Sequence, residues 1–175
     1  MTRWIAALTA VCLLALCAGA AAKTIEGGKR ADILEGTPQR DRITGKGGDD
    51  RVFGGDGGDR ITVGPGHDLV QAEHGNDAVK GAAGDDSLST GPGNDRISGG
   101  DGHDEITGDA GRDVLSGGAG SDDLEGGDGD DRIVAAGDGG AIDEVQCGTG
   151  DDEAVVDSAD LSHAPQDCES IVRAP

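Results

Sequence analysis

The chain has 175 residues, of which 34 are glycine, and it carries a formal net charge of -21. Few apolar groups and strong self-repulsion are typical of a disordered chain, so the composition by itself predicts no fold. Only 1% of the residues are aromatic. Together with the excess of acid, this excludes nucleic-acid binding, which needs stacking faces and contacts to phosphates.

The first 22 residues have the pattern of an export signal. Arg3 supplies the basic end, residues 4–18 form the apolar segment, and small residues follow up to Ala22. Cleavage after Ala20 and cleavage after Ala22 both satisfy the small-x-small rule. Removal of this segment leaves 13 basic and 35 acidic side chains, a charge of -22. We therefore expect a secreted protein, exported by general secretion, with no transmembrane segment in the mature chain.

Two alternatives for this segment stay open. It could be a membrane helix, although the apolar run is short and an acidic, glycine-rich chain follows it. It could also direct lipid attachment at Cys17, although Leu16 is a poor residue before such a cysteine.

A nine-residue repeat begins at Gly27 and runs to Val134 as twelve units without an insertion or deletion. Every unit has aspartate at its sixth position: Asp32, Asp41, Asp50, Asp59, Asp68, Asp77, Asp86, Asp95, Asp104, Asp113, Asp122 and Asp131. Every unit has an aliphatic residue at its eighth position: Leu34, Ile43, Val52, Ile61, Val70, Val79, Leu88, Ile97, Ile106, Leu115, Leu124 and Ile133. This stretch contains 17 Ile, Leu and Val, and 12 of them occupy that one position. Such a fixed period indicates a repeat architecture.

Each unit divides into a glycine-rich turn and a short strand. Glycine occupies position four in ten of the twelve units and is frequent at positions one and two. This suits a tight turn with positive φ angles and carbonyl groups aimed inward. After the aspartate, a polar, aliphatic, polar triplet such as residues 60–62 predicts a minimal strand with one inward side chain.

The aspartates predict a bound cation. Twenty of them lie between Gly27 and Val134, and stacking them at a strand spacing of about 4.8 Å would bring like charges together. A divalent cation held by carboxylates and loop carbonyl groups would remove this repulsion and couple binding to folding. A flexible, all-oxygen shell suits Ca²⁺ better than Mg²⁺, and no set of Cys or His indicates a softer metal.

The units resemble the RTX, or haemolysin-type, calcium-binding nonapeptide G-G-x-G-x-D-x-U-x. Full matches begin at Gly54, Gly99, Gly117 and Gly126, and the repeat covers about 108 of the 175 residues. The resemblance implies an all-β fold, a right-handed parallel β-roll (β-solenoid). In this fold two units make one coil, the twelve units make six coils, and loops on the same side share ions.

The resemblance also implies the ligands. They would be the twelve position-six aspartates, with loop glycines from the full matches: Gly54, Gly57, Gly99, Gly102, Gly117, Gly120, Gly126 and Gly129. Units one and two have Arg30 and Gln39 in place of the position-four glycine, so we expect about eight to ten Ca²⁺ ions. Val63 and Ala72 replace the first glycine in the middle of the array, so the tightest sites are expected toward the carboxyl end.

We divide the chain into a signal peptide (1–22), a calcium-binding β-roll (23–134) and an irregular C-terminal cap (135–175). A cap is needed because a stack of repeats leaves an open apolar end and unpaired strand edges. Cys147 and Cys168 remain after export, and an even pair in an exported chain most economically forms one disulfide, here one that pins the cap. Two free buried thiols are the alternative.

The resemblance is to stand-alone exported repeat proteins of bacteria. It implies a secreted calcium-binding protein that folds on calcium in the extracellular space and has no catalytic residues. An enzyme acting on polysaccharides is one alternative, but the chain has no H-E-x-x-H or G-x-S-x-G motif and no tyrosine. Its His67 and His103 fall at the variable fifth position, which is expected to be an exposed spacer.

Adhesion to an anionic polymer is the other alternative. Arg42, Arg60, Arg96 and Arg132 occupy the outward position seven of even-numbered units and would form a basic stripe on one sheet. Pairing of these arginines with neighbouring acids, or simple solvation, is the competing interpretation of the same pattern.

Overall fold

The structure, a computed structural model, describes residues 21–137, 139–163 and 167–174. The predicted export signal therefore lies, up to residue 20, outside the described residues. The described part consists of sixteen β-strands and one 3-10 helix (Asp160–His163), without an α-helix. A helix with the length and apolar character needed to cross a bilayer does not occur in these described ranges.

The strands form two parallel sheets. From edge to edge, the first sheet contains β1 (Thr24–Glu26), β3 (Arg42–Thr44), β5 (Arg60–Pro65), β7 (Ala78–Ala83), β9 (Arg96–Asp101), β11 (Val114–Ala119), β13 (Arg132–Ala135), β15 (Glu153–Val156) and β16 (Ser170–Arg173). The second sheet contains β2 (Ile33–Glu35), β4 (Arg51–Asp56), β6 (Leu69–His74), β8 (Ser87–Ser89), β10 (Glu105–Ala110), β12 (Asp123–Asp128) and β14 (Glu144–Thr149).

The register of the strands confirms the predicted β-solenoid. Neighbours in a sheet come from residues 18 apart, so that Ile61 pairs with Val79 and Ile106 pairs with Leu124. Two nine-residue units therefore complete one turn, with one strand in each sheet. The solenoid has about eight turns rather than six, because β1 precedes the first unit and strands after residue 134 continue both sheets.

The core lies between the two sheets and consists mainly of the position-eight side chains. All twelve are buried, and none is more than 7% exposed. This confirms that the aliphatic residues face inward. Because paired strands are in register from one turn to the next, these side chains stack into one row per sheet. Stacking in a row removes their apolar surface from water in a chain that is rich in glycine.

Most strands have six residues, which differs from the predicted triplet. In β9, Ile97 and Gly99 both face inward, since burial alternates along the strand. Position one of the next unit therefore belongs to the strand and not to the turn. At Gly54, for example, a methyl group would lie 2.7 Å from Oδ2 of Asp59, so the missing side chain leaves room for the carboxylate of the same unit.

The segment after residue 134 is built largely from solenoid strands. β14 pairs with β12, and β15 pairs with both β13 and β16. The spacing is 21 residues from β12 to β14 and from β13 to β15, so three extra residues are accommodated outside the strands, and it is 17 residues from β15 to β16. The predicted disulfide between Cys147 and Cys168 is present, with a Cα–Cα distance of 5.2 Å. The function of residues 135–175 as a cap stays a prediction.

Candidate metal-binding columns

The position-six aspartates form two columns, one on each flank of the solenoid. The odd column contains Asp32, Asp50, Asp68, Asp86, Asp104 and Asp122, and the even column contains Asp41, Asp59, Asp77, Asp95, Asp113 and Asp131. Apart from Asp32, which is half-buried, each is at most 3% exposed. The structure extends the columns by Asp143 and Asp152, both 1% exposed. The odd column borders a groove of 1740 Å³ that runs along the flank.

Sequence reasoning left Asp143 and Asp152 out of the ligand set. Asp152 follows a glycine-rich stretch, residues 148–151, that echoes the repeat, so its position was detectable. Asp143 is obscured by the three extra residues, which break the nine-residue count. The remaining sequence signal for Asp143 is that one residue separates it from the aliphatic Val145, as in the repeat units.

One oxygen of each carboxylate has a structural partner. The backbone N–H of an aspartate donates to Oδ1 of the aspartate one turn further along, at 2.6–2.9 Å from Asp32 through Asp131. Each column is therefore a continuous ladder of charge-assisted hydrogen bonds. In the folded chain, the ladder holds the carboxylates in one orientation.

The other oxygen, Oδ2, is buried and accepts no hydrogen bond within the described part of the chain at many of these positions. This holds for Asp50, Asp59, Asp68, Asp77, Asp86, Asp104, Asp113, Asp131 and Asp152. A buried charged oxygen without a partner is strongly unfavourable. Such a column requires either a proton or a cation at each position.

Burial dominates the electrostatics of the columns. Removal from water, reinforced by carboxylates one turn away, raises the pKa of Asp77, Asp86 and Asp113 to about 7 and that of Asp104 to about 6. The same burial raises the pKa of Asp59, Asp68 and Asp131, among others. The backbone hydrogen bond to Oδ1 acts in the opposite direction at each of these residues. In the absence of a cation, the folded columns therefore favour partial protonation.

The two ends of the columns are different. Asp41 accepts hydrogen bonds from the N–H of Lys23 at 2.5 Å and, at Oδ2, from the N–H and hydroxyl of Thr37 at 2.5 and 2.8 Å. Burial acts to raise the pKa of Asp41, but these hydrogen bonds and the charge of Lys23 outweigh it, and the pKa is lowered. Oδ2 of Asp32 accepts the N–H of Gly28 at 2.6 Å.

The carboxyl end is closed in the same way. Asp160 accepts the N–H of Asp143 at 3.0 Å on Oδ1 and the N–H of Asp157 at 2.9 Å on Oδ2. Glu169 accepts the N–H of Asp152 at 2.8 Å. Asp160 and Glu169 thus accept the last backbone N–H groups of the two columns, whereas Oδ2 of Asp152 accepts no hydrogen bond within the described part of the chain.

The turns are shaped by position four. Gly57, Gly102, Gly120 and Gly129 all have positive φ angles, between 119° and 141°. A methyl group at any of these positions would overlap the backbone of the preceding turn. Of the other predicted loop glycines, Gly54, Gly99, Gly117 and Gly126 are at position one, where they face the carboxylates. Whether either group contributes carbonyl ligands stays a prediction.

From the third unit onward, position two has a positive φ even where the residue is not glycine. The φ angle is 82° at Lys46, 74° at Glu73, 128° at Ala82 and 72° at Asp109. A positive φ is unfavourable for such residues, so the stacked turns impose this conformation. The backbone conformation at position two therefore repeats in these units, although the residue type varies.

Carboxylates by themselves do not complete a coordination shell. Among the described residues, three potential side-chain ligands come within 4.8 Å of one another only at Cys147, Asp167 and Cys168, and both cysteines are in the disulfide. Since Ca²⁺ takes six to eight oxygen ligands, an ion in a column would need backbone carbonyl groups in addition to the aspartates.

The fifth position forms an outer ladder on the odd flank. The N–H of His67 donates to Asp49 at 3.0 Å, the N–H of Asp85 donates to Nδ1 of His67 at 3.0 Å, and the N–H of His103 donates to Asp85 at 2.9 Å. These histidines are exposed, as predicted for spacers. They nevertheless connect successive turns through hydrogen bonds.

The predicted arginine stripe is interrupted. In strand register, Arg42 lies beside Arg60, but Ala78 separates Arg60 from Arg96 and Val114 separates Arg96 from Arg132. Arg132 also forms an ion pair with Glu153 at 2.6 Å. A continuous surface for an anionic polymer along all four arginines is therefore not formed.

These features define a class of protein: a parallel β-solenoid whose glycine turns hold columns of buried carboxylates. Residues 26–61, 53–88, 80–115, 98–133 and 107–142 match the family described as RTX calcium-binding nonapeptide repeat (4 copies). The matched segments extend over residues 26–142, more than half of the chain, and the chain belongs to this family. Repeats of this family bind calcium. No curated protein matched the chain.

Proposed function

We propose that this protein is a secreted calcium-binding protein whose aspartate columns fill with several Ca²⁺ ions and whose folding depends on that filling. The main support is the row of buried Oδ2 atoms, as at Asp50, Asp86 and Asp113, that accept no hydrogen bond from any residue that the structure describes. Bound calcium would satisfy these oxygens and remove the repulsion between successive turns. Family membership supports the choice of calcium over other divalent ions.

Each ion would lie between carboxylates one turn apart in the same column, with turn carbonyl groups completing its shell. From Asp50 to Asp143 and from Asp59 to Asp152, each column contains six aspartates and five intervals. About ten ions are therefore proposed. The predicted ligands Asp32 and Asp41 have less support, because their carboxylates already accept hydrogen bonds within the protein.

Secretion would explain why folding depends on calcium. Sites with a dissociation constant of about 10⁻⁴ to 10⁻³ M would be mostly empty in the cell and filled outside it. The chain would therefore stay unfolded during export and fold on arrival. The predicted signal segment, residues 1–22, supports this route.

The test is a calcium titration of the purified mature protein, followed by circular dichroism and calorimetry. Strand signal should rise cooperatively below ~10 mM Ca²⁺, with about eight to ten ions bound per chain. The same concentration of Mg²⁺ should be much less effective. Equal compactness and protease resistance in excess chelator would refute the proposal.

A further inference from the structure

Cations are concentrated at the amino-terminal end of the first sheet. Lys23, Arg40, Arg42 and Arg60 line one groove of 440 Å³, which we call the basic groove. All four residues are exposed. Such a concentration of positive charge is unexpected in a chain with a net charge of -21.

The cations of the basic groove form no ion pair within the described part of the chain, since no carboxylate oxygen there lies within 4.0 Å of their charged nitrogens. Acidic groups act on them only from a greater distance, as Asp41 does on the charge of Lys23. Elsewhere on the surface, Lys46, Arg112 and Arg132 each reach a carboxylate at 2.6–2.9 Å. Other exposed cations, such as Arg96, also form no ion pair within the described part of the chain, so the basic groove is distinguished by the four cations that line it together.

Arg42 and Arg60 are placed side by side. They are direct partners in the register of β3 and β5, and neighbouring strands lie about 4.8 Å apart. Like charges at paired positions of a sheet are destabilising. An anion shared between the two guanidinium groups would convert this repulsion into attraction.

Arg40 approaches from the turn and is held in place. Its Nε donates to the carbonyl oxygen of Gly58 at 3.0 Å. A methyl group at Gly58 would lie 3.1 Å from a terminal nitrogen of Arg40, so glycine leaves room for this guanidinium. Asp41 and Asp59 also line the groove, but each is only 2% exposed. The donors accessible to a ligand are therefore mainly cationic.

We propose that the basic groove binds a sulfate or phosphate ester carried on a larger molecule. Guanidinium groups donate paired N–H groups to such oxyanions, and Arg is preferred over Lys for this geometry. A sulfate or phosphate ester presents three terminal oxygens and can accept hydrogen bonds from two guanidinium groups at once, whereas a carboxylate presents two. The volume of the groove is within the range of small-molecule sites, which leaves space for part of the carrier. Distant acidic groups oppose binding only weakly, since at physiological salt charges are screened beyond about 8 Å.

The test uses calcium-saturated protein and two polymers of equal length, dextran sulfate and phosphorylated dextran, with unmodified dextran as the neutral control. The double variant Arg42→Gln with Arg60→Gln removes the paired arginines. Its matched control is Arg96→Gln with Arg132→Gln, which removes the same charge from equivalent strand positions. Affinity is measured by calorimetry as a function of salt.

We expect the wild-type protein to bind at least one charged polymer and not unmodified dextran. The basic-groove variant should bind roughly tenfold or more weakly, with a salt dependence reduced by about two charges. The control variant should stay within about twofold of the wild type. Preference for one polymer would identify the ester as sulfate or phosphate. Equal losses in both variants, or no binding by the wild type, would overturn the proposal.

Calcium uptake on the same samples separates this proposal from the proposed function. Protein that takes up calcium but binds neither charged polymer would refute the basic groove alone. Protein that binds a polymer through Arg42 and Arg60 but takes up no calcium would refute the proposed function alone. Unchanged strand signal in both variants excludes misfolding as the cause of a loss.

Discussion

Each interior aspartate has two different oxygens. Oδ1 of Asp104 accepts the N–H of Asp86 at 2.9 Å and so connects two turns, whereas its Oδ2 is buried without a hydrogen bond. The first oxygen connects the turns of the folded chain, and the second requires a proton or a cation. Aspartate is suited to this position because its short side chain has few rotamers and fits against Gly99.

Replacement of Asp104 by Asn separates these two contributions. The amide oxygen can still accept the N–H of Asp86, but the negative charge is lost. We expect one or two fewer bound ions among the proposed total of about ten, because Asp104 borders two intervals of its column. Equilibrium dialysis with calcium measures this number.

The matched control is Glu105→Gln, which removes the same charge from the neighbouring, exposed position of β10. Its ion count should be unchanged. Equal decreases in the two variants would indicate a diffuse acidic surface instead of defined sites.

At the scale of the element, the turns and strands depend on stacking. Position two adopts positive φ with Lys46 or Ala82 as readily as with glycine. A single unit could not impose this conformation, since it places these residues in an unfavourable region. Neighbouring turns must therefore hold one another in shape, as is general for repeat proteins. Among the described strands, β16 pairs with β15 alone, and all four of its residues are exposed.

Because β16 is at the end of its sheet, we expect the disulfide to stabilise this end of the solenoid locally. Cys147 and Cys168 are 21 residues apart, and a loop of that length gives a chain-entropy stabilisation of ~3 kcal/mol. In the double variant Cys147→Ala with Cys168→Ser, we expect β16 to fray while the central turns persist. Hydrogen exchange in saturating calcium should show lost protection in β15 and β16 and unchanged protection in β9 and β11. Loss of protection throughout the solenoid would contradict this expectation.

At the scale of the whole molecule, charge governs stability. About ten calcium ions would carry +20 against a predicted mature charge of -22, so the filled protein would be close to neutral. Without calcium, the aspartate columns must either protonate or unfold. The fold is therefore expected to depend on both calcium and pH.

The direction of the pH dependence follows from the raised pKa values. Asp77, Asp86 and Asp113 have pKa values of about 7 in the calcium-free fold, whereas an unfolded aspartate has a pKa of about 3.9. Protons therefore stabilise the calcium-free fold, and this stabilisation is complete below about pH 4 and lost as the pH rises through about 7. Calcium competes for the same oxygens, so its apparent affinity should rise over the same interval.

Circular dichroism in calcium-free buffer should show a gain of strand signal as the pH falls from about 8 to 5. Calcium titrations at pH values on either side of 7 measure the opposite trend in affinity. Added sodium chloride at high pH serves as the control, because salt screens exposed charges much more than buried ones. A gain from salt equal to the gain from acid would assign the effect to general repulsion.

The sequence alone determined the period, the inward row and the chemistry of the columns. An aspartate and an aliphatic residue separated by one position, repeated every nine residues, are placed by a solenoid in regular columns and rows, and both sets, apart from Asp32, are buried in the structure. Such a local pattern predicts the fold because each turn repeats the same contacts with its neighbours. The disulfide was likewise predictable, because Cys147 and Cys168 are the two cysteines that follow the predicted signal segment.

Only the tertiary structure decided which aspartates differ from the others. Asp32 and Asp41 occupy the same sequence position as the rest, but contacts with Gly28, Lys23 and Thr37 at the end of the stack satisfy their oxygens. Asp143 joined its column although three extra residues had broken the count. The physical reason is that the hydrogen bonds of a carboxylate depend on the adjacent turn, which is about eighteen residues away in the chain. The nine-residue pattern does not show where the stack of turns begins and ends.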